Sequence, residues 1–479
     1  MNKYFLIFSL ITISSANIYS EENPTSKIDI NISMKKSIVE NLINKELPYT
    51  IEDSGSGTQI FGGHNNNALS VGLDLLGVVD KKFSQFSESF IWAYKINRAP
   101  ITFDAHGQEV QATTAFKGVF KANWNKQKQG TEIDLDGNAG IKSRISISPN
   151  WEIKCYSSPF LNISNNNMPL ALNVYGIKLK ADININDSLQ KSVVSKLKVA
   201  TKELDSKISS FDLRALIEKY WLQLKDPILV NPDYNLWLTA NLNSARYSDL
   251  VSNNDQLGIK VGGDVQLKLY FGKKPAALNL TSLPPVNFGF VNDSFNILLP
   301  VSSSYTSLNE VINKNLPKEN FKVFSGVYSH IDNIALSNSN NELYITSDFS
   351  VSILNFLKPT GIIKATIKPN FDPSTGVLSG ENFDYNLETN SFILTIANKL
   401  FKNKIKETIV KNYLSFNASE NINLAKQFLQ KKVENVEVDK NVYLKSNITS
   451  LKVNSVSLDE NNISVTFNII GNSSLEISE

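Results

Sequence analysis

Cysteine, histidine and arginine are scarce in this chain of 479 residues, which has one cysteine, three histidines and four arginines. The single cysteine, Cys155, excludes an internal disulfide, so the fold must be held together by burial of a core. The histidines His64, His106 and His330 share no metal-ligand spacing, and we predict no metal site and no cofactor. The four dispersed arginines exclude the clustered guanidinium groups that usually clamp phosphates.

A charge excess of either sign is also absent. The 48 basic and 46 acidic residues leave a formal net charge of +2, which excludes the basic footprint of a nucleic-acid-binding protein. The sequence contains no phosphate-binding loop, no dinucleotide fingerprint and no nucleophile elbow. We therefore nominate no catalytic residue and expect a protein that is not an enzyme. A catalytic site on loops leaves no such motif, so an enzyme remains an alternative.

Two short polar motifs have a structural interpretation that we prefer to a functional one. The segment 134–138 resembles the first half of a calcium loop but lacks the closing glutamate, and we predict a hairpin turn at Asp136 and Gly137. The segment Gly55-Ser56-Gly57 is interpreted as a flexible turn.

Residues 1–20 have the layout of a cleavable signal peptide, with Lys3, an apolar run from Tyr4 to Ile13, and small residues after it. No later run reaches the roughly 18 apolar residues of a transmembrane helix. No cysteine follows the signal to accept a lipid anchor. We expect a periplasmic or secreted protein whose contact with any membrane is reversible.

An internal duplication organises the rest of the chain. The stretch Leu42–Pro48 recurs as Val311–Pro317, 269 positions later, and an offset of 208 relates the helical and strand patterns that follow. At this second offset Leu216 and Tyr220 correspond to Leu424 and Phe428. Each copy has an alternating strand, a helix ended by proline, a meander of strands, a long helix with one apolar stripe, a shorter helix and two closing strands.

These patterns predict an α+β fold with two tandem elongated domains, each a highly curved antiparallel sheet wrapped around a long amphipathic helix. We place the signal peptide at 1–20, the first domain at 21–270, a linker at 271–294 and the second domain at 295–479. The seam between helix and curved sheet would be a long apolar slot. Its candidate ligand-binding residues are Val193, Leu197, Leu204, Ala397, Phe401 and Ile405. Ordinary core packing explains the same stripe without any ligand.

The order of elements resembles the tubular lipid-binding (TULIP) superfamily, which includes the bactericidal/permeability-increasing protein and lipid-transfer proteins. The segment Leu222–Ile228, followed by Leu236-Trp237-Leu238 and a long closing hairpin, resembles a bacterial family of unknown function related to those proteins. The resemblance implies curved sheets on long helices and apolar ligand sites, and it supplies no catalytic residue. The chain lacks a disulfide and a strongly basic tip, so lipopolysaccharide binding by charge is not implied.

We therefore expect an exported, non-catalytic protein of the bacterial cell envelope that binds a lipid or another amphiphile, including as a lipid-transfer protein. Each methylene buried between helix and sheet would contribute about 0.8 kcal/mol. The alternative is a protein-protein scaffold or secreted helper that uses the same fold with filled cores. The protein partner that would load or unload the slot is not identified by the sequence, and nucleic acid is not expected as a partner.

Overall fold

The computed structural model describes residues 24–61, 86–125, 130–164, 167–174, 177–185, 189–232, 235–253, 255–280, 282–314, 316, 321–324, 327–339, 342–353 and 358–478. The predicted signal peptide at 1–20 lies outside these residues. The described chain forms two compact units. The small unit comprises Ser33–Arg214 and Asp249–Ile259, and the large unit comprises the described part of Met1–Ile32 with Ala215–Ser248 and Lys260–Ile477.

The small unit is built on an antiparallel sheet of order β2-β3-β5-β6-β7, with β4 beside the first half of β5 and a separate β8-β9 hairpin. Its helices are α1 (Lys36–Glu46) and α2 (Ser195–Ser209), and a π-helical turn, Gln190–Val194, precedes α2. Its strands are β2 (Thr50–Phe61), β3 (Phe86–Arg98), β4 (Thr102–Gly107), β5 (Glu109–Trp124), β6 (Gly130–Ile147), β7 (Ile153–Ile163), β8 (Asn167–Val174) and β9 (Ile177–Asn184).

The large unit contains a sheet of order β11-β12-β1-β14-β23-β22-β21, with β10 and β13 paired to β11, and an antiparallel sheet β15-β16-β17-β18-β19-β20. Its helices are α3 (Leu213–Gln223), α4 (Tyr305–Lys314), α5 (Phe392–Tyr413) and α6 (Ser419–Val433). Its strands are β1 (Thr25–Lys35), β10 (Ile228–Asn231), β11 (Leu236–Ser252), β12 (Gln256–Phe271), β13 (Val286–Phe288), β14 (Ser294–Ser304), β15 (Phe321–Phe324), β16 (Val327–Ser339), β17 (Glu342–Ile353), β18 (Thr360–Asp372), β19 (Val377–Glu388), β20 (Ser415–Asn417), β21 (Val436–Asp439), β22 (Val442–Leu458) and β23 (Asn462–Ile477).

The predicted α+β class is confirmed, since the described chain is mostly antiparallel sheet with a few helices. A strand followed by a helix occurs as β1-α1 and again as β14-α4. A long helix, a shorter helix and two long closing strands occur as α2-α3-β11-β12 and again as α5-α6-β22-β23. These two runs of elements therefore each occur twice along the chain.

An asparagine of the repeated motif explains why α1 stays attached to the sheet. The Asn44 amide donates to the Ile101 carbonyl at 3.0 Å, and its oxygen accepts from the Ile101 backbone N–H at 2.7 Å. One turn earlier, Glu40 Oε1 accepts from the Phe103 N–H at 3.0 Å. These two side chains of α1 thus make hydrogen bonds to the edge at β4 that a neighbouring strand would otherwise make.

The equivalent positions in the large unit make the same contacts. Asn313, 269 positions after Asn44, donates to the Ile334 carbonyl and accepts from the Ile334 N–H, both at 2.8 Å. Asn309, 269 positions after Glu40, accepts from the Leu336 N–H at 2.8 Å. The repeated motif therefore has one physical function, which is to fasten a helix to the backbone of a strand.

Two predicted turns are wrong, because their glycines lie inside strands. Gly55 and Gly57 belong to β2, and a Cβ on them would lie 2.5 Å from Trp92 and 2.4 Å from Phe90. Gly137 belongs to β6, where a Cβ would meet the Asn162 carbonyl at 2.1 Å. These glycines leave room for neighbouring rings and backbone. Close packing between strands therefore explains why glycine stands at these positions, and a turn does not.

The compact units are built from discontinuous stretches and do not follow the predicted ranges 21–270 and 295–479. Those ranges describe the two copies of the sequence repeat and stay a prediction. Within the predicted linker 271–294, strand β13 pairs with β11, and Leu283, Val286 and Val291 are buried. The linker segment is therefore packed in the large unit.

Candidate functional site: the two long helices

The long helix of the small unit begins packed into a core. Val193 is 7% exposed, and Leu197 is partly buried against the same cluster. The cluster also contains buried side chains from the π-helical turn region and from β3, β5, β6, β7 and β8: Phe90, Tyr94, Ile96, Phe116, Phe120, Ala122, Trp124, Leu135, Leu161, Met168, Leu170, Ile185 and Leu189. The protein's own side chains therefore fill the seam beneath Val193.

Aromatic rings make up much of this core, and the indole N–H of Trp124 has a hydrogen-bond partner within it. Trp124 is 1% exposed, and its indole N–H donates to the Ala171 carbonyl at 3.0 Å. Its ring meets Phe90 edge to face with centroids 6.0 Å apart, while Trp92 stacks on Phe120 at the same separation. Such pairs add to the free energy gained by burial alone.

A polar network fixes the start of the helix to β2. Ser192 donates its hydroxyl to Asp53 Oδ2 at 2.6 Å, and Lys196 forms an ion pair with the same oxygen at 2.8 Å. The hydrogen bond from Lys196, then that from Ser192, lowers the pKa of Asp53 to about 2. The carboxylate is therefore ionised over the neutral range and holds two successive turns of the helix.

The buried face changes farther along α2. Thr201 is 2% exposed, and Asp205 accepts from the backbone N–H of Ser157 at 3.0 Å and from its hydroxyl at 2.5 Å. Leu204, a predicted slot residue, is 39% exposed, and Val199 is 60% exposed. Thr201 and Asp205 follow Leu197 in steps of four residues, and each step turns the buried face by about 40° around the α-helix. The apolar stripe in the sequence and the buried face diverge after Leu197.

Helix α5 of the large unit differs, because most of the apolar side chains that the structure describes on it are exposed. Phe392 is 77% exposed, Leu400 70%, Ile393 48%, Ile396 41% and Val410 39%. None of the α5 side chains that the structure describes is buried. The side chains of the predicted slot residues Ala397, Phe401 and Ile405 lie outside the described part of the structure, so their role stays a prediction.

Polar contacts attach α5 to β19. Asn398 accepts a hydrogen bond from the Tyr385 hydroxyl at 2.8 Å, and Lys402 and Lys406 lie 3.7 and 3.5 Å from Asp384 Oδ1. These three α5 positions are spaced four residues apart and share one face. Burial opposes ionisation of Asp384, but the charges of Lys402 and Lys406 outweigh it and hold its pKa below the ordinary value.

A different helix fills the core of the adjoining sheet. Tyr305, Leu308 and Ile312 of α4 are buried with side chains of β16 to β19 and with Leu414, which follows α5. The described side chains of α5 therefore make polar contacts with β19, and apolar groups among them are exposed to solvent. The exposed apolar side chains of α5 are available to contact an apolar ligand, and its lysines are available to pair with an anionic one.

The shorter helices repeat a smaller pattern of exposure. Leu216 and Tyr220 of α3 are 44% and 55% exposed, and their counterparts in the repeat, Leu424 and Phe428 of α6, are 51% and 58% exposed. The next residue in α3, Trp221, is buried. Each copy thus keeps one exposed apolar pair on its second helix.

Recesses open on the described part of the small unit, and in two of them the lining includes none of the predicted slot residues. One of about 610 Å³ is lined by Asn41, Asn44, Lys45, Leu47, Pro48 and Tyr49. The other, of about 570 Å³, is lined by residues of β2, β3 and β5. Among the described residues no group of three histidine, cysteine or carboxylate side chains is arranged for a metal ion. No helix in this part of the chain is long and apolar enough to cross a membrane.

Sequence reasoning did not single out the exposed apolar side chains of this basic helix, which are different residues from the predicted slot residues Ala397, Phe401 and Ile405. The signal was local composition: residues 392–413 contain five lysines and one glutamate, hence a formal charge of +4 in a chain whose total is +2. A count of charge by segment would have found it.

The molecule is thus an α+β protein with one long helix packed into a core and another with exposed apolar groups. The chain belongs to a family described as a domain of unknown function (DUF4403), whose model matches residues 24–477. The predicted membership of a family of unknown function is confirmed. No curated protein matches the chain.

Three solved structures are similar over most of the chain. The crystal structure of lipopolysaccharide binding protein has 10% identity and a TM-score of 0.27, covering 95% of this chain and 100% of that one. P47 of Clostridium botulinum E1 has 11% identity and a TM-score of 0.20, covering 94% and 100%. P47 from Clostridium botulinum A2 has 12% identity and a TM-score of 0.23, covering 94% and 99%. At these TM-scores the likenesses carry no argument about function.

Proposed function

We propose that this protein is an exported, non-catalytic lipid- or amphiphile-binding protein of the bacterial cell envelope, and that α5 is its principal apolar acceptor. The observation that carries the proposal is the exposure of Phe392, Ile396 and Leu400 along one side of that helix. A fold gains nothing by displaying such side chains to water, whereas a bound apolar ligand would remove them from it.

The dimensions of α5 suit an acyl chain. Its 22 residues span about 33 Å at 1.5 Å per residue. One leaflet of a bilayer core is about 15 Å thick, so one acyl chain fits along half of the helix. Fully burying an apolar side chain of this size gains roughly 1.5 to 3 kcal/mol. Two or three such contacts contribute about 3 to 9 kcal/mol before ordering costs, so micromolar binding, about 8 kcal/mol, requires further contacts along the acyl chain.

The tandem duplication is part of the proposal. In it the two copies of the repeat, 21–270 and 295–479, each wrap a curved sheet on a long helix, as the resemblance to the TULIP superfamily implies. Its support is the pair of matching hydrogen-bond contacts that Asn44 makes with the backbone of Ile101, just before β4, and Asn313 with the backbone of Ile334 in β16. The first copy then has a filled seam and the second copy an open helix.

Lipid uptake by the purified exported protein tests this function. We expect a fluorescent fatty acid or phospholipid to bind to the native chain and to bind less tightly to Leu400→Ser. Val199→Ser is the matched control, because Val199 is a 60% exposed aliphatic residue on the other long helix. Mass spectrometry of native preparations should reveal a co-purified amphiphile. If neither uptake nor a co-purified amphiphile is detected, the function is wrong.

A scaffold or secreted helper is the second candidate, and the filled core under α2 favours it. In the small unit Trp124, Phe120 and Leu189 pack in one core with Val193, a residue of the predicted slot. Capture of a defined protein partner by the chain, unaffected by Leu400→Ser and by delipidation, would favour this candidate. Broad hydrolase screening of the same preparation tests the proposed absence of catalysis.

A further inference from the structure

Lysines border the exposed apolar face of α5 on both sides. An α-helix advances about 100° per residue, so Phe392, Ile396 and Leu400 lie within about 80° of one another. Lys399 lies about 20° before Phe392, and Lys404 lies about 40° beyond Leu400. Both lysines are exposed. An apolar strip with cations along its two edges is the pattern of a helix that lies in a membrane interface.

The charge of α5 determines which occupant fits. Five lysines and one glutamate give the segment 392–413 a formal charge of +4. A second copy of this chain would bring an equally basic helix to the same face, and like charges would oppose the pairing. An anionic lipid surface matches both features of the helix: its acyl chains can contact the apolar strip, and its anionic headgroups can pair with the lysines.

We propose that α5 docks the protein in the plane of an anionic lipid bilayer, with its Phe392–Leu400 strip in the acyl boundary and its bordering lysines on the headgroups. The inference rests on the proposed function, because the same strip receives the acyl chain of the cargo. Docking in the plane agrees with the finding that no helix among the described residues has the length and hydropathy to cross a membrane.

The attachment of α5 to the large unit leaves the strip available. Asn398, Lys402 and Lys406 face β19, where they contact Asp384 and Tyr385. Those positions lie on the side of the helix away from Leu400. Docking therefore requires no detachment of α5 from its sheet, and the protein would bind and leave the surface as a folded unit.

Vesicle flotation with the full chain tests the proposal. The probes are vesicles of phosphatidylglycerol mixed with phosphatidylcholine, and vesicles of phosphatidylcholine alone. We expect binding to the anionic vesicles only, and a loss at high salt, since the Debye length falls from about 10 Å at 0.1 M to about 3 Å at 1 M. Because one surface lysine contributes a factor of about five, Lys399→Glu with Lys404→Glu should weaken binding at least about 30-fold.

Matched variants separate the strip from general charge and apolarity. Lys154→Glu with Lys273→Glu makes the same change of net charge at two other exposed lysines and should leave most of the binding intact. Phe392→Ser should weaken binding, whereas Phe290→Ser should not, although Phe290 is 82% exposed and Phe392 77%. Circular dichroism spectra of all variants should be unchanged.

The outcomes distinguish this inference from the function on which it rests. Equal binding to both kinds of vesicle, or binding insensitive to the α5 variants, would overturn the docking proposal. A protein that takes up monomeric lipid but never floats with vesicles would also overturn it and leave the proposed function in place. Flotation that depends on α5 without any uptake of monomeric lipid supports docking and contradicts the carrier function. An oligomer that Phe392→Ser dissociates would assign the strip to a second copy instead.

Discussion

Helices α2 and α5 occupy corresponding places in the sequence repeat, yet they meet their surroundings in opposite ways. The first turns of the α2 region send Leu189 and Val193 into a core of aromatic rings. Helix α5 places Lys402 and Lys406 toward its sheet and leaves Leu400 in solvent. The described residues thus form a structural helix in the small unit and an exposed apolar surface on the long helix of the large unit.

The comparison teaches that an apolar stripe does not identify its own partner. Periodicity says which side chains share a face, but charged neighbours and the shape of the sheet decide whether that face is buried. In the small unit the glycines Gly55 and Gly57 let rings of β3 reach across β2 and fill the interior. In the large unit Tyr305, Leu308 and Ile312 of α4 are buried in a core with side chains of β16 to β19.

The largest expected effect comes from truncating the aromatic core of the small unit. Trp124→Ala removes a side chain that is 1% exposed, and we expect a loss of about 3 to 5 kcal/mol in the free energy of unfolding. Leu400→Ala on α5 should change it by no more than about 0.5 kcal/mol, since that side chain is 70% exposed. Urea unfolding measures both. Similar losses for the two variants would remove the contrast between the helices.

The matching asparagines allow the two copies to be compared where they are alike. Asn44→Ala and Asn313→Ala should each lower stability by about 2 kcal/mol, because each leaves part-buried backbone groups of a strand without partners. Asn403→Ala, at an exposed position of α5, is the control and should be nearly neutral. A large loss in only one of the two copies would contradict the equivalent role of the motif.

The polar tether of the small-unit helix should give a small effect that depends on pH. Asp53 has a pKa of about 2 in the folded protein against an ordinary value of 3.8, so its carboxylate stabilises the fold above about pH 4. That contribution is lost as the pH falls from about 4 towards 2. Asp53→Asn should therefore cost roughly 0.2 to 1 kcal/mol at neutral pH and nothing near pH 2. Urea unfolding across this range measures it, and a difference independent of pH would rule out the ion pair as its source.

Much of the fold followed from the sequence, and most of the exposure pattern did not. The strand and helix order, the long helices and the two matching asparagine motifs are local patterns, which periodicity and repetition reveal. The predicted turn at Gly137 was wrong, because the sequence does not distinguish a glycine that leaves room for a neighbouring ring from one that turns the chain. Leu204 is 39% exposed because the buried face of α2 turns toward Thr201 and Asp205, and the apolar residues of the sequence do not indicate that rotation.

The central claim, that α5 receives the apolar ligand and α2 does not, has one direct test. A thiol-reactive, polarity-sensitive fluorophore is attached to Leu400→Cys in one sample and to Val199→Cys in another. Native Cys155 should stay unlabelled, because it is buried and burial raises its pKa to about 11. On addition of a long-chain fatty acid we expect a blue shift at position 400 and none at 199. Equal shifts at both positions, or a shift at 199 alone, would contradict the account.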